Sequence, residues 1–250
     1  MATYDLALFK GHGKGNDGSF DCGATYNGIT EYDTVSKIVD VALKHLKSAG
    51  INVLTGEQNY KNKLLSGHTI KAKCAYSVHI NAGGGKRSET FVPLNEKYFT
   101  TERNIQAELA KLGLANGGVK SRDYNTGAVS MRSDGVKLSG TDYYKEIRDA
   151  WGMGISLTIL EVGFIDSSDI TIIRNNIDKI GLIIAQELAK LCDKTIPTPA
   201  PTPAPTPAPA PAPTGVKYRV VCGTYADKAN AIAQQEKLKK AGFDSFLVTI

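Results

Sequence analysis

The 250-residue chain has few cysteines and no long apolar run, and both features limit the classes of protein to which it can belong. Its four cysteines show no Cys-x-x-Cys spacing, so the sequence predicts free thiols in a reducing compartment and no disulfide framework. No stretch approaches the ~18–20 apolar residues of a membrane helix, which predicts a chain without a membrane span. The first residues lack the basic and apolar regions of a secretory signal, so we expect synthesis in the cytoplasm.

The charge balance of the chain is moderately basic. The formal net charge is +5, from 30 lysines and arginines against 25 aspartates and glutamates. A basic excess suits an anionic surface. It also suits nucleic acid, but the sequence has no helix-turn-helix or RNP-like pattern. We therefore expect an anionic partner that is not a nucleic acid.

Proline divides the chain, because nine of its ten prolines fall between Pro197 and Pro213. Proline that alternates with threonine or alanine is typical of an extended polyproline-II spacer. The sequence thus predicts a folded domain over residues 1–194, a linker over 195–215 and a small module over 216–250. Apolar runs alternate with helical patterns in the first domain, which predicts an α/β fold with a mostly parallel twisted sheet flanked by helices.

Two histidines stand where such a sheet would bring polar side chains together. His12 follows the apolar run 4–9 in a glycine-rich turn, at the C-terminal end of the first predicted strand. His79 shares one face of the predicted strand 75–80 with small polar residues. Open α/β sheets bind ligands at the carboxyl ends of their strands. The pattern favours a site, although histidine is also a common loop residue.

Two glutamates occupy apolar surroundings that a carboxylate normally avoids. Glu31 begins a predicted helix and lies on the same stripe as Val35 and Ile38. Glu161 follows the most apolar run of the chain, residues 155–160. A buried charge must be paired or must bind a metal, so Glu161 is predicted to be functional. Glu31 has the alternative of decorating its helix N-terminus in solvent.

Five short motifs occur in a fixed order along residues 1–192. They are Gly11-His12-Gly13, Gly23-Ala24 followed by Glu31, Ser77-Val78-His79-Ile80-Asn81-Ala82, Glu89-Thr90-Phe91 and Leu160-Glu161-Val162-Gly163-Phe164-Ile165. In this order they resemble the zinc-dependent N-acetylmuramoyl-L-alanine amidases of the Amidase_3 type. The resemblance implies a hydrolase that cuts the amide bond between N-acetylmuramic acid and L-alanine in bacterial peptidoglycan and so lyses the cell wall.

The same resemblance implies a role for each residue of the site. His12, Glu31 and His79 would hold one Zn2+ ion, with a water molecule as the fourth ligand. Three protein ligands and an open position are typical of a catalytic zinc site. Glu161 would be the catalytic residue that moves protons.

Three further residues are predicted to contact substrate or to orient the ligands, namely Asn81, Glu89 and Arg132. Two alternatives to the amidase stay open. The first is a catalytically silent protein that only binds peptidoglycan, and the second is a zinc peptidase that cuts within the stem peptide. The intact set of candidate ligands and the catalytic glutamate favour the amidase.

The C-terminal module resembles one half of a SPOR-type peptidoglycan-binding domain. The resemblance lies in the motif Tyr218-x-Val220-x-x-Gly223-x-Tyr225 and in a helix that ends at Ala241-Gly242-Phe243. The pattern predicts a β-α-β unit with strands over 217–225 and 243–250. Two strands bury little surface by themselves. We therefore expect either a homodimer in which two chains pair their half-domains, or a module without a stable fold.

A wall hydrolase without an export signal must be released from the cell that makes it. Two settings fit, a phage endolysin freed by a holin and a lytic enzyme freed when a mother cell lyses late in sporulation. Bacterial peptidoglycan is the expected partner in both.

Overall fold

The computed structural model describes residues 2–65, 69–198 and 222–249. The chain divides into two compact units, Met1–Thr198 and Pro199–Ile250. Residues 199–221 lie outside the described residues, and they include most of the predicted linker and the start of the module's first predicted strand. In the described part of the chain, no helix is long and apolar enough to cross a membrane.

The first unit alternates strands and helices along the chain. Its strands are β1 (Thr3–Tyr4), β2 (Leu6–Lys10), β3 (Gly13–Lys14), β4 (Phe20–Asp21), β5 (Thr25–Tyr26), β6 (Ile29–Thr30), β7 (Val53–Gly56), β8 (Thr69–Ile70), β9 (Cys74–Asn81), β10 (Ser88–Phe91), β11 (Asn116–Arg122), β12 (Val129–Met131) and β13 (Ser156–Phe164). Its helices are α1 (Glu31–Ser48), α2 (Tyr60–Leu65), α3 (Thr100–Lys111), α4 (Lys145–Gly152), α5 (Asp169–Asn175) and α6 (Ile177–Lys190).

A seven-stranded sheet with the order β12-β11-β10-β13-β9-β2-β7 forms the centre of this unit. Strands β7, β2, β9 and β13 are parallel to their neighbours in that series. Strand β10 runs antiparallel to β13 and parallel to β11, and β12 runs antiparallel to β11. The predicted α/β fold with a mostly parallel sheet is confirmed. Because β2, β9 and β13 run in the same direction, their carboxyl ends meet at one edge.

Both faces of the central strands are covered, as the apolar run of β2 predicts. Leu6 and Leu8 pack with α1, α3, α5 and α6 on one face. Ala7 and Phe9 pack with α2 and α4 on the other. All four side chains are fully buried. Burial of a leucine-sized side chain contributes roughly 1.5–3 kcal/mol, so this packing holds the strand ends rigidly in place.

Helix α1 begins where its capping sequence predicts. The hydroxyl oxygen of Thr30 accepts a hydrogen bond from the backbone N–H of Asp33 at 3.2 Å. An N-cap of this kind stabilises a helix by about 1 kcal/mol. The apolar stripe that starts at Val35 and Ile38 is buried against the sheet. Glu31 is the first residue of that buried stripe, so its carboxylate points inward.

The second unit differs from the predicted β-α-β module. Helix α7 (Lys228–Lys240) is present, and Asp227 caps it by accepting a hydrogen bond from the Ala229 N–H at 2.6 Å. Residues 243–249 form no strand in the described part of the unit, and Phe243 and Phe246 are 63% and 72% exposed. A strand needs a hydrogen-bonded neighbour. The described residues of this unit supply none, so the predicted second strand is not formed here.

Candidate metal centre and catalytic carboxylate

The four residues singled out from the sequence lie together at the carboxyl edge of the sheet. His12 follows β2, His79 lies near the end of β9, and Glu31 opens α1. Glu161 of β13 is the register partner of His79 across the β13–β9 pair. Four segments of the chain therefore converge here, three of them because parallel strands end at the same edge.

Three of these side chains form a compact group of potential metal ligands. One atom from each of His12, Glu31 and His79 lies within 4.8 Å of the other two. The Nε2 atom of His12 is 3.1 Å from Oε2 of Glu31. The Nδ1 atom of His79 is 3.1 Å from Oε1 of the same carboxylate. The two imidazoles and the carboxylate thus surround one point and could hold a single metal ion.

The Glu31 carboxylate is held in place by two backbone N–H groups. Its Oε1 accepts from Ile80 at 2.9 Å and its Oε2 accepts from Ala24 at 3.0 Å. Burial raises the pKa of Glu31, but the hydrogen bonds and charges of His12 and His79 outweigh burial and lower the pKa well below its ordinary value. Glu31 is therefore ionised and fixed in orientation, as a metal ligand must be.

Close backbone approach allows the group to form. A Cβ on Gly23 would lie 2.6 Å from Cδ2 of His12 and 2.7 Å from Oε2 of Glu31. A Cβ on Gly11 would lie 2.5 Å from Nδ1 of His79. His12 itself has a φ of 64°, in the left-handed region that a residue with a side chain rarely adopts. Strained backbone of this kind is often found at functional sites.

Glu161 has the environment of a proton-transfer group. Its Oε2 is buried and has no hydrogen-bond partner among the described residues. Burial raises the pKa of Glu161 to about 7, and the charges of Glu31 and Glu89 act in the same direction against those of His79 and His12. A carboxylate with a pKa near neutrality can both accept and return a proton at neutral pH.

Glu89 lies beside Glu161, and Asn81 contacts Glu89. The amide Nδ2 of Asn81 donates to Oε1 of Glu89 at 3.0 Å. Glu89 is buried, pairs with Arg87 at 2.8 Å and with Lys120, and is the register partner of Glu161 across the β10–β13 pair. The structure thus places both residues at the edge of the site, where they are able to orient Glu161 or a substrate.

Arg132 is held in a separate network. Its guanidinium donates to the backbone oxygens of Pro93 at 2.9 Å, Glu96 at 2.9 Å and Val136 at 2.7 Å. It also stacks over the ring of Phe99, 4.9 Å from the ring centroid. These contacts include none of the clustered ligands, and they leave the buried Arg132 bracing two loops. The predicted contact with substrate finds no support in this arrangement.

Two carboxylates near the histidines were not among the predicted site residues. Oδ2 of Asp21 is 2.7 Å from Nδ1 of His12. Oε1 of Glu146, on α4, is 3.5 Å from Nε2 of His79, and the Ser77 hydroxyl is 3.0 Å from the same nitrogen. The glycine-rich loop that carries His12 also carries Asp21, which is a usable sequence signal. No local pattern marks Glu146, because α4 reaches the site only through the fold.

Two family matches divide the chain. Amidase_3, the N-acetylmuramoyl-L-alanine amidase family, matches residues 6–180. The SPOR domain matches residues 187–249. This match starts inside α6 and is longer than the predicted module over 216–250. No curated protein sequence matches the chain.

Several solved structures share the fold at low sequence identity. The chain is similar to N-acetylmuramoyl-L-alanine amidase AmiC2 of Nostoc punctiforme, with a TM-score of 0.51 and 14% identity over 77% of this chain and 99% of that one. It is similar to the catalytic domain of the CD27L endolysin targeting Clostridia Difficile, with a TM-score of 0.50 and 17% identity over 78% of this chain and 99% of that one. Cwp6 from Clostridium difficile gives a TM-score of 0.51 and 20% identity over 75% of this chain, which spans 29% of Cwp6. Because the sequence identities are this low, these similarities show only that the fold is shared.

Proposed function

The chain belongs to Amidase_3, the N-acetylmuramoyl-L-alanine amidase family, and from that premise we propose how it acts on peptidoglycan. It hydrolyses the amide bond between N-acetylmuramic acid and L-alanine. His12, Glu31 and His79 hold one Zn2+ ion, and Glu161 transfers protons. The observation that carries the proposal is the convergence of three ligand atoms within 4.8 Å beside a buried carboxylate oxygen that has no partner among the described residues.

The chemistry of the donor set fits zinc. Two imidazole nitrogens and one carboxylate oxygen are common zinc ligands, whereas magnesium and calcium prefer sites made of oxygen alone. The low pKa of Glu31 keeps its carboxylate in the ligating form. Three protein ligands leave a coordination position for water or substrate, as catalytic zinc sites do. Zinc is therefore the metal that we propose for this site.

The residues of the site divide the work between binding and proton transfer. When bound, zinc supplies a Lewis acid that polarises the scissile carbonyl and makes a water molecule more acidic. The free Oε2 of Glu161 accepts the proton of the attacking water. The same oxygen then donates that proton to the leaving amine of L-alanine, which a pKa of about 7 permits. Asn81 and Glu89 support Glu161 from the neighbouring strands.

The SPOR domain supports peptidoglycan as the partner of the whole chain. A SPOR domain binds peptidoglycan, so the C-terminal unit would keep the enzyme on its polymeric substrate. Lysis of the wall follows if enough of these amide bonds are cut. Pairing of two chains through the C-terminal unit stays a prediction, as does release by a holin or by lysis of a mother cell.

A digest of purified peptidoglycan tests the proposal. Mass spectrometry would score newly freed amino termini of L-alanine, with chelator and with zinc restored. We expect the full-length protein to release them, the chelator to abolish release, and zinc to restore it. His12→Ala should be inactive. His45→Ala is the matched control, because His45 lies in the last turn of α1, at the end remote from Glu31, and should retain activity.

Any other outcome of the digest would indicate a different function for this chain. A new amino terminus inside the stem peptide would identify a zinc peptidase. Retained binding to several wall types without any cleavage would leave a peptidoglycan-binding protein. Cleavage that persists in chelator and in His12→Ala would remove the metal from the mechanism.

A further inference from the structure

Each histidine of the candidate zinc site turns its second ring nitrogen toward a carboxylate. For His12 the contact is direct, since Nδ1 lies 2.7 Å from Oδ2 of Asp21. Asp21 is itself fixed, because its Oδ1 accepts from the Gly23 N–H at 2.9 Å and its Oδ2 accepts from Gln58 Nε2 at 3.3 Å. The other nitrogen of His12, Nε2, faces Glu31 at 3.1 Å.

For His79 the contact is longer and uses the opposite ring nitrogen. Nε2 is 3.0 Å from Oγ of Ser77 and 3.5 Å from Oε1 of Glu146. Nδ1 of His79 faces Glu31 at 3.1 Å. The two histidines therefore present different nitrogens, Nε2 and Nδ1, to the same carboxylate.

The direction of these hydrogen bonds follows from what each group can donate. An ionised carboxylate only accepts, and a serine hydroxyl has one hydrogen and two lone pairs. Nε2 of His79 faces both the Glu146 carboxylate and the Ser77 hydroxyl, so Nε2 carries the hydrogen and a lone pair of Ser77 accepts it. By the same reasoning, His12 donates its Nδ1–H to Asp21. A neutral imidazole carries one N–H, so His12 Nε2 and His79 Nδ1 keep their lone pairs.

We infer that Asp21 and Glu146 are positioning residues, one for each histidine, which select the ring nitrogen that binds the metal. This inference rests on the zinc site of the proposed function and extends it to residues that hold no metal themselves. Asp21 directs Nε2 of His12 toward the metal, and Glu146, together with Ser77, directs Nδ1 of His79. Carboxylates that orient metal-bound histidines in this way typically account for about 10–100-fold in metal affinity.

Glu146 is poorly explained as a packing residue. Its Oε2 is buried and has no hydrogen-bond partner among the described residues. A buried carboxylate oxygen without a partner is unfavourable, and an apolar side chain of similar size would avoid the penalty. Its neighbours Ile147 and Ala150 fill the core on the same helix. The contact with His79 is the interaction that offsets the penalty of placing an acid here.

Zinc affinity of the full-length protein tests the inference without reference to catalysis. The protein would be stripped of metal and titrated with zinc against a competing chelator dye. We expect Asp21→Asn and Glu146→Gln each to bind zinc about 10–100-fold more weakly than wild type. Asp149→Asn is the matched control on α4, because Asp149 is an acid of the same helix that pairs with Lys145 and accepts a hydrogen bond from the Tyr60 hydroxyl. It should bind zinc as the wild type does.

Two further measurements separate positioning from damage to the fold. Nitrogen-15 NMR of the zinc-loaded wild type, labelled in histidine, should show the proton on Nδ1 of His12 and on Nε2 of His79. Glu146→Asp should recover part of the affinity that Glu146→Gln loses, which a packing role would not predict.

Two results would overturn the inference while leaving the zinc amidase intact. One is wild-type zinc affinity in both Asp21→Asn and Glu146→Gln. The other is NMR evidence for the opposite protonated nitrogen on each ring. A wild-type protein that binds no zinc would overturn the zinc site itself, and the inference with it.

Discussion

Replacement of Glu161 by glutamine should remove activity and stabilise the metal-free protein at the same time. Glutamine keeps the size of the side chain but cannot ionise or carry a proton. Removing a group that transfers protons in the transition state typically lowers the rate about 10²–10⁴-fold. The stability gain arises because wild-type Glu161 is held in surroundings that oppose its charged form.

The size of the stability gain follows from the pKa of Glu161. Burial raises that pKa from its ordinary value of 4.5 to about 7. The unfolded chain loses the proton near 4.5, whereas the folded protein keeps it until about 7, so wild-type stability falls as pH rises between these values. Each pKa unit corresponds to about 1.4 kcal/mol, so the whole step is worth roughly 3 kcal/mol. Glu161→Gln escapes this loss.

Urea unfolding of chelator-treated protein at a series of pH values measures the effect. We expect wild type and Glu161→Gln to unfold with similar free energies at acid pH and the variant to be more stable above neutrality. Added zinc should reduce the difference in unfolding free energy between the variant and the wild type, because a nearby cation favours the ionised carboxylate of the wild type. Glu108→Gln is the control, since Glu108 is a partly exposed residue of α3 that pairs with Lys111. Its pH course should match the wild type.

Two results would refute the reasoning about Glu161. If wild type and Glu161→Gln follow the same pH course, the surroundings of Glu161 do not oppose its ionisation. If the variant digests peptidoglycan at the wild-type rate, Glu161 is not the proton-transfer residue, and the unpartnered oxygen needs another explanation.

Three other changes probe the core, the site and the C-terminal unit. Burial raises the pKa of Glu102, which accepts a hydrogen bond from the Tyr76 hydroxyl at 2.8 Å. Glu102→Gln should therefore become more stable than the wild type as pH rises in the same urea assay. Equal dependence of the unfolding free energy on pH in the two proteins would contradict this. Gly23→Ala would force a Cβ to 2.6 Å from His12 and should weaken zinc binding in the dye titration, and unchanged affinity would show that the loop yields. Removal of residues 199–250 should weaken sedimentation with intact peptidoglycan but preserve cleavage of soluble fragments, and equal sedimentation would place wall binding elsewhere.

The sequence predicted the central strands, and it predicted that the four candidate residues would lie together, because both depend on local patterns. A run such as 155–160 is apolar enough to identify a central strand, and the register of β13 then places Glu161 beside His79. The cap at Thr30 fixes the start of α1 and hence the inward position of Glu31. Parallel strands bring such residues to one edge, so a local pattern was enough to assemble the site.

Contacts between distant elements could not be predicted in this way. Glu146 reaches His79 only because α4 packs on the face of the sheet beside β13, a placement that no pattern within α4 specifies. Arg132 is an arginine after a short apolar segment, which is equally consistent with a surface or a buried position. Strand β11 begins with Asn116-Gly117-Gly118. Glycine is depleted in strands, so residue propensity alone does not predict a strand here. The strand predicted over 243–250 failed for the related reason that a strand requires a partner.

The charges around the candidate zinc site predict that metal binding stabilises the fold. Four carboxylates, those of Asp21, Glu31, Glu146 and Glu161, lie around the imidazoles of His12 and His79. Carboxylates brought together away from water repel one another, and burial opposes their ionised forms. A divalent cation relieves both effects, so part of its binding energy appears as stability of the folded chain.

The size of this stabilisation depends on how far the zinc concentration exceeds the dissociation constant. A ligand that binds only the folded state at 100 times its dissociation constant adds about 2.7 kcal/mol. The thermal midpoint of the wild type should therefore rise when zinc is added to chelator-treated protein. His12→Ala should lose most of this rise, whereas His45→Ala should keep it, because His45 lies in the last turn of α1. An equal rise in both variants would mean that zinc binds elsewhere on the chain, and the carboxylates of the site would then have to be balanced by the histidines alone.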